Sequence, residues 1–228
     1  MSSNDNEWKY GVNHLFPVPI YLNHAKSRFD DIDYELNSLV DRTTFKRKDG
    51  WEDYTHTLSE NPFNGDILVK NECYAFIDFL EDCMKEYLNY IGPMFEYDKF
   101  RYVITDSWFT KTVKGQQAKE HHHGYADIAG VYYVRTNGHD GNLYFNSPHS
   151  ISSGNPIISN VQARELLPLA PGTLALWPGY LTHGTRVNEM DSERISLSFN
   201  IQLGRRGFDK IYDNYGGYNE NISGATQI

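Results

Sequence analysis

The clearest pattern along the chain is a helical one. Between Asn71 and Tyr90, apolar residues recur at steps of three and four, which places them on one face of an amphipathic helix. Asn71 can cap the start of this helix, and Gly92-Pro93 can end it. Residues 29–39 repeat the pattern over a shorter length. The sequence therefore predicts two helices in the first half, each with one face for the core.

From Phe100 onward the apolar residues form short runs separated by turn signals such as Lys114-Gly115 and Pro178-Gly179. Six runs read as strands: 101–105, 107–112, 128–134, 142–145, 172–177 and 194–203. A further apolar run, residues 15–22, contains two prolines, which suits an edge strand. Residues 43–66 are polar and read as loop with one short strand. This succession of short strands predicts a mainly β sandwich or barrel.

Composition agrees with a soluble globular protein. The 228 residues suffice for one large domain, and 39% are hydrophobic and 22% charged. An aromatic content of 14%, with 17 Tyr, favours β structure. No apolar run approaches the ~18–20 residues of a membrane helix, and the polar N-terminus does not resemble a signal peptide. We expect no membrane association.

Net charge and cysteine positions bear on the binding partners and the cellular compartment of the protein. The formal net charge is −9, from 21 basic and 30 acidic residues, which argues against general binding to nucleic-acid backbones. Cys73 and Cys83 both fall on the predicted helix, ten residues and so roughly 15 Å apart. That separation is far beyond the ~7 Å that a disulfide spans. Nothing demands an oxidising compartment, and we expect a cytoplasmic protein.

The histidines carry the first chemical signal. On an extended strand, residues two apart share a face, so His121 and His123 would point together. Asp127 follows as a possible carboxylate ligand, and His183 lies just past the Pro178-Gly179 turn. Such a set can bind a metal ion. The alternative is a solvated histidine loop, with His183 only closing a turn. Of the other six histidines, His122 would point away from this pair, and five are expected to be surface or hydrogen-bonded residues: His14, His24, His56, His139 and His149.

A second signal lies on the last predicted strand. Residues 194–201 alternate strictly, so that Arg194, Ser196, Ser198 and Asn200 share one face. An arginine followed by a serine two residues later suits a carboxylate, because the guanidinium pairs both oxygens and the hydroxyl adds a third donor. The alternative is a strand with one face in solvent.

Taken in order, these motifs resemble the family of 2-oxoglutarate/Fe(II)-dependent oxygenases found in marine bacteria and cyanophages. The resemblance runs over roughly residues 15–203 and rests on Phe16-Pro17-Val18-Pro19-Ile20, His121-x-His123, Ala129 to Val134, Gly141 to Phe145, Pro171 to Leu174, His183, Arg194-Ile195-Ser196 and Phe199-Asn200. It implies a double-stranded β-helix, or jelly roll, with the N-terminal helices packed on the outside. The implied division is a loose N-terminus (1–14), one oxygenase domain (15–204) with helical support at about 29–92 and a jelly-roll core at about 100–204, and a tail (205–228).

The resemblance also implies roles for particular residues. In the wider superfamily, iron is held by H-x-D/E plus a distal histidine, and a later Arg or Lys binds the distal carboxylate of 2-oxoglutarate. His183 and Arg194 fit that spacing, with Ser196 beside Arg194. Position 123 is a histidine where a carboxylate is expected. Either His121, His123 and His183 form a three-histidine site, which we favour, or Asp127 supplies a carboxylate.

The implied activity is oxidation of a substrate by O2, with decarboxylation of 2-oxoglutarate to succinate and hydroxylation as the default outcome. The cofactors are Fe(II), 2-oxoglutarate and O2, and the substrate is an unidentified small molecule or peptide. If the protein is phage-encoded, it would act in the host cytoplasm. No catalytic residue beyond the metal centre is needed. The first alternative is a cupin-type metal enzyme without 2-oxoglutarate, since the spacing from Gly115 to Asp127 also resembles the first cupin motif. The second is a non-catalytic jelly-roll binding or virion protein.

Overall fold

The computed structural model describes residues 18–59, 67–91, 100–148, 164–167 and 170–205. The N-terminus expected to be loose, the tail beyond residue 205 and the helix-ending Gly92-Pro93 lie outside these ranges. No helix in the described ranges is long and apolar enough to cross a membrane.

Ten strands and three α-helices make up the described part of the chain, with a 3-10 turn at Lys26–Arg28. The helices are α1 Phe29–Val40, α2 Ile67–Lys70 and α3 Tyr74–Ile91. The strands are β1 Tyr21–His24, β2 Phe45–Lys46, β3 Thr57–Ser59, β4 Phe100–Thr112, β5 Ile128–Arg135, β6 Leu143–Asn146, β7 Arg164–Leu166, β8 Thr173–Pro178, β9 His183–Thr185 and β10 Arg194–Arg205.

The strands form two antiparallel sheets. The larger has the order β1-β8-β5-β10-β4-β3-β2, and the smaller has the order β7-β6-β9. Among the described strands, β1 pairs only with β8, so the proline-containing run does lead into an edge strand. The sheets face each other across a small apolar core contributed by β5, β6 and β8. The mainly β fold and the double-stranded β-helix expected from the sequence are confirmed.

Strand β5 shows how the layers are built. Ile128, Tyr132 and Val134 point to one side, into a core shared with helices α1 and α3. Ala129, Val131 and Tyr133 point to the other side, between the sheets. Both faces of this central strand are therefore buried, which explains its continuous apolar run. The helices cover the outer face of the large sheet, as expected.

Two element boundaries differ from the sequence prediction for physical reasons. Helix α3 begins at Tyr74 rather than at Asn71, because Asn71 still belongs to the turn that follows α2 and Glu72 has φ 55°, outside the helical region. The carboxylate of Glu35 on α1 caps this start by accepting hydrogen bonds from the main-chain N–H groups of Ala75 and Phe76, at 3.1 and 3.0 Å. Residues 101–105 and 107–112 form one strand, β4, which pairs with β10 along its whole length. Thr105, at the end of the first predicted run, forms a β-bulge, and the pairing with β10 continues on both sides of it. The short strands β2, β7 and β9 were also not predicted.

Candidate metal centre

Main-chain pairing brings His121 and His183 together. Strand β9 begins at His183 and pairs with β6. His183 also exchanges two hydrogen bonds with His121, each main-chain N–H donating to the other residue's carbonyl at 2.9 Å. His123 then donates its main-chain N–H to the carbonyl of Gly179 at 2.8 Å. The extended strand predicted for residues 121–123 is therefore wrong: this segment is a loop held by a single bridge and one further hydrogen bond.

The three histidine side chains converge. One potential ligand atom from each of His121, His123 and His183 lies within 4.8 Å of the other two. The ring of His121 is 4.3 Å from that of His183 and 5.1 Å from that of His123, measured between centroids. His123 and His183 are buried, whereas His121 reaches solvent. The cluster therefore lies at a mouth of the fold, with one side open.

Each of the three rings is oriented by an acceptor at Nδ1. The Nδ1 atoms of His121 and His183 lie 2.7 and 2.9 Å from the carbonyl oxygens of Lys119 and Leu181, and Nδ1 of His123 lies 2.5 Å from Oδ1 of Asn200. A carbonyl oxygen can only accept, so each Nδ1 carries the proton. Each Nε2 then keeps its lone pair, as in metal sites whose histidines donate their other N–H to a carbonyl. These residues fit a transition metal such as iron.

The electrostatics favour the same state. Burial lowers the pKa of His121, His123 and His183, and the neighbouring imidazoles lower those of His123 and His183 further. The pKa of His123 falls to about 4. All three rings are therefore neutral near pH 7, which is the form that binds a metal ion.

These depressed values predict how stability varies with pH. Burial lowers the pKa of His56 and His123 to about 4, from an ordinary value of 6.5. Between those values an unfolded histidine takes up a proton that the folded one refuses, so stability should fall as the pH drops from about 6.5 to about 4. Chemical denaturation of the metal-free protein at a series of pH values measures this. His56→Gln should flatten the dependence. An unchanged slope in that variant would contradict the prediction.

Asp127 lies outside the cluster. It is exposed, and its Oδ2 accepts a hydrogen bond from the main-chain N–H of Leu203 at 2.8 Å. Its own main-chain N–H donates to the carbonyl of Ile201 at 3.0 Å. The carboxylate thus ties the start of β5 to β10, and the geometry favours the three-histidine alternative.

Replacing this carboxylate should leave the metal in place. We expect Asp127→Ala to retain the wild-type metal stoichiometry after anaerobic loading with Fe(II), because the side chain is engaged by Leu203. Elemental analysis of the desalted protein measures it. A loss comparable to that of a histidine variant would mean that the carboxylate moves into the site when metal binds.

Arg194 occupies the other end of the same cavity. Its side chain is only 2% exposed. One guanidinium nitrogen donates to the carbonyls of Asp140 and Gly141, and the other terminal nitrogen donates to Oγ1 of Thr185 at 3.1 Å. No carboxylate among the described residues lies within ion-pair distance of it. Burial lowers its pKa, but an arginine remains charged. A buried cation with unused donors calls for an anion.

The approach of Arg194 to the chain requires a glycine. Gly141 has φ +101°, and a Cβ there would lie 2.3 Å from the carbonyl oxygen of Arg186 and 2.9 Å from a guanidinium nitrogen of Arg194. Only glycine adopts this conformation without strain and leaves room for both groups. Gly141, which belongs to the motifs quoted for the family resemblance, therefore leaves room for the guanidinium of Arg194.

A cavity of about 360 Å³ contains both ends of the site. Ser196 and Tyr133 line it together with Arg194 and the three histidines. Burial raises the pKa of Tyr133 to about 12, partly offset by Arg194, so its phenol is a neutral donor. Sequence reasoning missed Tyr133, because its strand was interpreted as apolar packing. Its position two residues after Val131, on the inner face of β5, was the available signal.

The outer wall of the cavity comes from residues 51–58 and from Lys119. His56 is hydrogen-bonded, as expected, with its Nδ1 3.4 Å from the carbonyl oxygen of Gln117. It also lines the cavity, with its ring edge-on to Trp51 at 4.7 Å. Its main-chain N–H donates to the carbonyl of Gln117 at 3.2 Å. Lys119 forms an ion pair with Glu52 at 2.7 Å, which joins residues 51–58 to the loop that carries His121 and His123.

Two of the remaining histidines are as expected: His24 is hydrogen-bonded and His139 is exposed. His14 and His149 lie outside the described residues.

Comparison with known proteins bears on these features. Residues 106–200 match the family model described as "Putative 2OG-Fe(II) oxygenase", where 2OG is 2-oxoglutarate. The matched segment is less than half of the chain and contains all three clustered histidines and Arg194. A comparison with curated protein sequences finds no match.

Similar solved structures include three enzymes of this kind. The non-heme α-ketoglutarate-dependent epimerase SnoN from nogalamycin biosynthesis has a TM-score of 0.58 at 10% identity, over 83% of this chain and 81% of that one. A 2OG-Fe(II) oxygenase family oxidoreductase from Burkholderia pseudomallei gives 0.53 at 14%, over 80% and 84%. A Pseudomonas putida prolyl-4-hydroxylase gives 0.53 at 11%, over 83% and 94%. At these identities the TM-scores show a shared fold and nothing further. The family-model match over residues 106–200 supports a 2-oxoglutarate/Fe(II) oxygenase with iron and 2-oxoglutarate as cofactors.

Proposed function

We propose that the protein is an Fe(II)- and 2-oxoglutarate-dependent dioxygenase that hydroxylates a small molecule or peptide. One observation carries the proposal: a buried arginine, with no carboxylate of the described residues within ion-pair distance, shares a cavity with three histidines whose Nε2 lone pairs are available. A metal at one end and a fixed cation at the other suit a dicarboxylate that chelates the metal through its opposite end. Both cysteines are buried and neither forms a disulfide, which is in keeping with the cytoplasmic location that we propose.

The tautomers of the three histidines indicate which of their nitrogen atoms would bind the metal. His121, His123 and His183 would hold Fe(II) through Nε2, since their Nδ1 atoms donate elsewhere. Bound iron would supply the oxidation of the substrate by O2, coupled to the oxidative decarboxylation of 2-oxoglutarate to succinate and CO2. The chain's own part is to orient the ligands, to position both substrates and to limit the access of water. Trp177 contributes to that shielding, because its ring packs edge-on against His183 at 4.8 Å and is 2% exposed.

The other end would hold the distal carboxylate of 2-oxoglutarate. Arg194 supplies the charge, and its bonds to Asp140 and Thr185 fix the guanidinium before a ligand arrives. Ser196 and Tyr133 add hydroxyl donors on neighbouring strands, where they face each other in register. A charge-assisted pair with two flanking hydroxyl groups recognises a planar carboxylate better than a single lysine would.

The primary substrate would enter on the side of Trp51, His56 and Trp108. The cavity of about 360 Å³ lies near the lower end of the ~300–1,000 Å³ that is usual for small-molecule sites. Since 2-oxoglutarate fills part of it, only the reacting end of a substrate fits inside. Neighbouring structures include an epimerase and a carbocyclase besides a hydroxylase, so the outcome depends on how that end is held. We propose hydroxylation, which needs only a C–H bond near the metal.

Titration of the anaerobic Fe(II) protein with 2-oxoglutarate tests the proposal. We expect a saturable metal-to-ligand charge-transfer band and, on admitting O2, release of succinate and CO2. Stoichiometric iron without saturable 2-oxoglutarate binding would exclude the dioxygenase and leave the cupin-type metal enzyme. Absence of metal binding would favour the non-catalytic jelly roll. Screening candidate substrates for stimulated succinate release would then identify the product.

A further inference from the structure

His123 lies in a slot formed by two side chains. Its Nδ1 donates to Oδ1 of Asn200 at 2.5 Å, and the ring of Trp108 lies nearly parallel to its own, with an interplanar angle of 14° and centroids 6.1 Å apart. The imidazole is 7% exposed. One contact fixes the rotation of the ring about its own axis, and the other limits its tilt.

Asn200 is itself locked in place. It is fully buried on the central strand β10, between Asp106 on β4 and Ala129 on β5. Its Nδ2 donates to the hydroxyl of Tyr125 at 2.8 Å and points toward Oδ2 of Asp106 at 3.4 Å. Rotating the amide by half a turn would turn its oxygen toward the carboxylate of Asp106, so that two acceptors would face each other. The acceptor oxygen is therefore held toward the histidine.

His123 differs from the other two clustered histidines in this respect. Their Nδ1 acceptors are the main-chain carbonyls of Lys119 and Leu181, which no substitution removes. Only His123, of the three, depends on a side chain for its orientation. Position 123 is also where the superfamily pattern predicts a carboxylate. A carboxylate there would face the oxygen of Asn200 with no proton to give it, whereas an imidazole supplies the N–H that the oxygen needs.

We propose that Asn200 is a positioning residue for the metal centre: it fixes the tautomer and the plane of His123, so that Nε2 faces the point shared with His121 and His183. The inference rests on the proposed function only in taking the metal to be iron. Without the acceptor, the buried Nδ1–H would lose its partner or the proton would move to Nε2 and block the ligand nitrogen. Loss of such an orienting partner typically weakens metal binding by about 10- to 100-fold.

Three variants test the proposal with Fe(II) alone, in anaerobic titrations without 2-oxoglutarate. Asn200→Leu keeps the size but removes the acceptor, and its metal affinity should fall by about 10- to 100-fold. Asn200→Asp keeps an acceptor oxygen, and it should bind more tightly than Asn200→Leu. Gln202→Leu is the matched control: Gln202 lies two residues along β10 and contacts the same loop through the carbonyl of Tyr125, at 3.1 Å, but touches no histidine. It should bind metal as the wild type does.

A second readout needs no metal. Nitrogen-15 NMR of the histidine side chains in the metal-free protein reports the tautomer of each ring. We expect His123 to carry its proton on Nδ1 in the wild type and in Gln202→Leu, and to populate the other tautomer in Asn200→Leu, while His121 and His183 stay unchanged. If Asn200→Leu does not fold, Tyr125→Phe takes its place. This variant removes the hydroxyl that accepts a hydrogen bond from the Asn200 amide, and because Tyr125 is half-exposed, the change should not disturb the core. Metal affinity should again fall.

Some results would overturn the proposal. These are wild-type metal affinity in Asn200→Leu, an unchanged His123 tautomer in that variant, or, where it does not fold, unchanged affinity in Tyr125→Phe. A wild-type protein that binds Fe(II) but not 2-oxoglutarate would instead refute the proposed oxygenase and leave the role of Asn200 standing. The two failures are thus distinguishable.

Discussion

The His183→Ala protein, loaded with Fe(II) under anaerobic conditions, should retain at least about tenfold less iron than the wild type. His183 is the buried centre of the cluster: its ring lies 4.3 Å from that of His121 and 5.1 Å from that of His123. Its removal deletes one of three ligands and opens a gap beside Trp177 that water would enter. The measurement is iron per chain after desalting, together with the dissociation constant from a chelator competition.

Two further variants make this result specific. His121→Ala should lose iron similarly, whereas exposed His139→Ala should lose none, since it lies outside the cluster. Normal iron content in both His183→Ala and His121→Ala would refute the site. Thermal unfolding of the metal-free proteins separates metal loss from misfolding.

Replacing Arg194 should have the second large effect, on 2-oxoglutarate rather than on metal. Arg194→Ala should weaken 2-oxoglutarate binding by about 2–4 kcal/mol, as for the loss of one partner of a buried, hydrogen-bonded charge pair. That is roughly 30- to 700-fold. Iron content should stay near the wild-type value, because the guanidinium touches none of the histidines and is held by Asp140, Gly141 and Thr185. The charge-transfer band of the anaerobic Fe(II) protein follows the titration.

Graded substitutions refine this prediction. Arg194→Lys should recover only part of the affinity, because an ammonium is a point charge without the paired donors. Ser196→Ala should cost about 1–2 kcal/mol, the scale of one hydrogen bond to a charged group. Arg186→Ala is the matched control, since that arginine is exposed and stacks on Tyr144. Wild-type 2-oxoglutarate affinity in Arg194→Ala would remove the basis for the dicarboxylate site.

The sequence predicts the parts of this molecule that depend on local spacing. The alternation along β10 placed Arg194 and Ser196 on one face, and both line the cavity. The periodicity of residues 71–90 predicted the outer helix, now Tyr74–Ile91. The prediction of a histidine pair plus a distant third gave residues that the structure brings together, although their role as metal ligands stays a prediction.

The remaining features depend on pairings between distant segments. The strand predicted for residues 121–123 is absent because that loop pairs through a single bridge to His183 and one hydrogen bond from His123 to Gly179, not through a continuous ladder. The start of α3 follows the left-handed backbone of Glu72, and its cap comes from Glu35, some forty residues earlier, which no local capping rule identifies. Asn200 was placed on the correct face, but its contact with His123 spans 77 residues. Such contacts follow from the order of strands in the sheet, which local patterns in the sequence do not reveal.

The reciprocal main-chain hydrogen bonds between His121 and His183 affect how a metal would arrive. Because these bonds are part of the folded main chain, two of the three ligands are aligned before any ion binds. The conformational entropy of bringing them together is lost during folding rather than during metal binding. The metal centre is therefore preorganised, unlike the sites of small domains that fold around their metal. Removing the ion should leave the surrounding jelly roll folded.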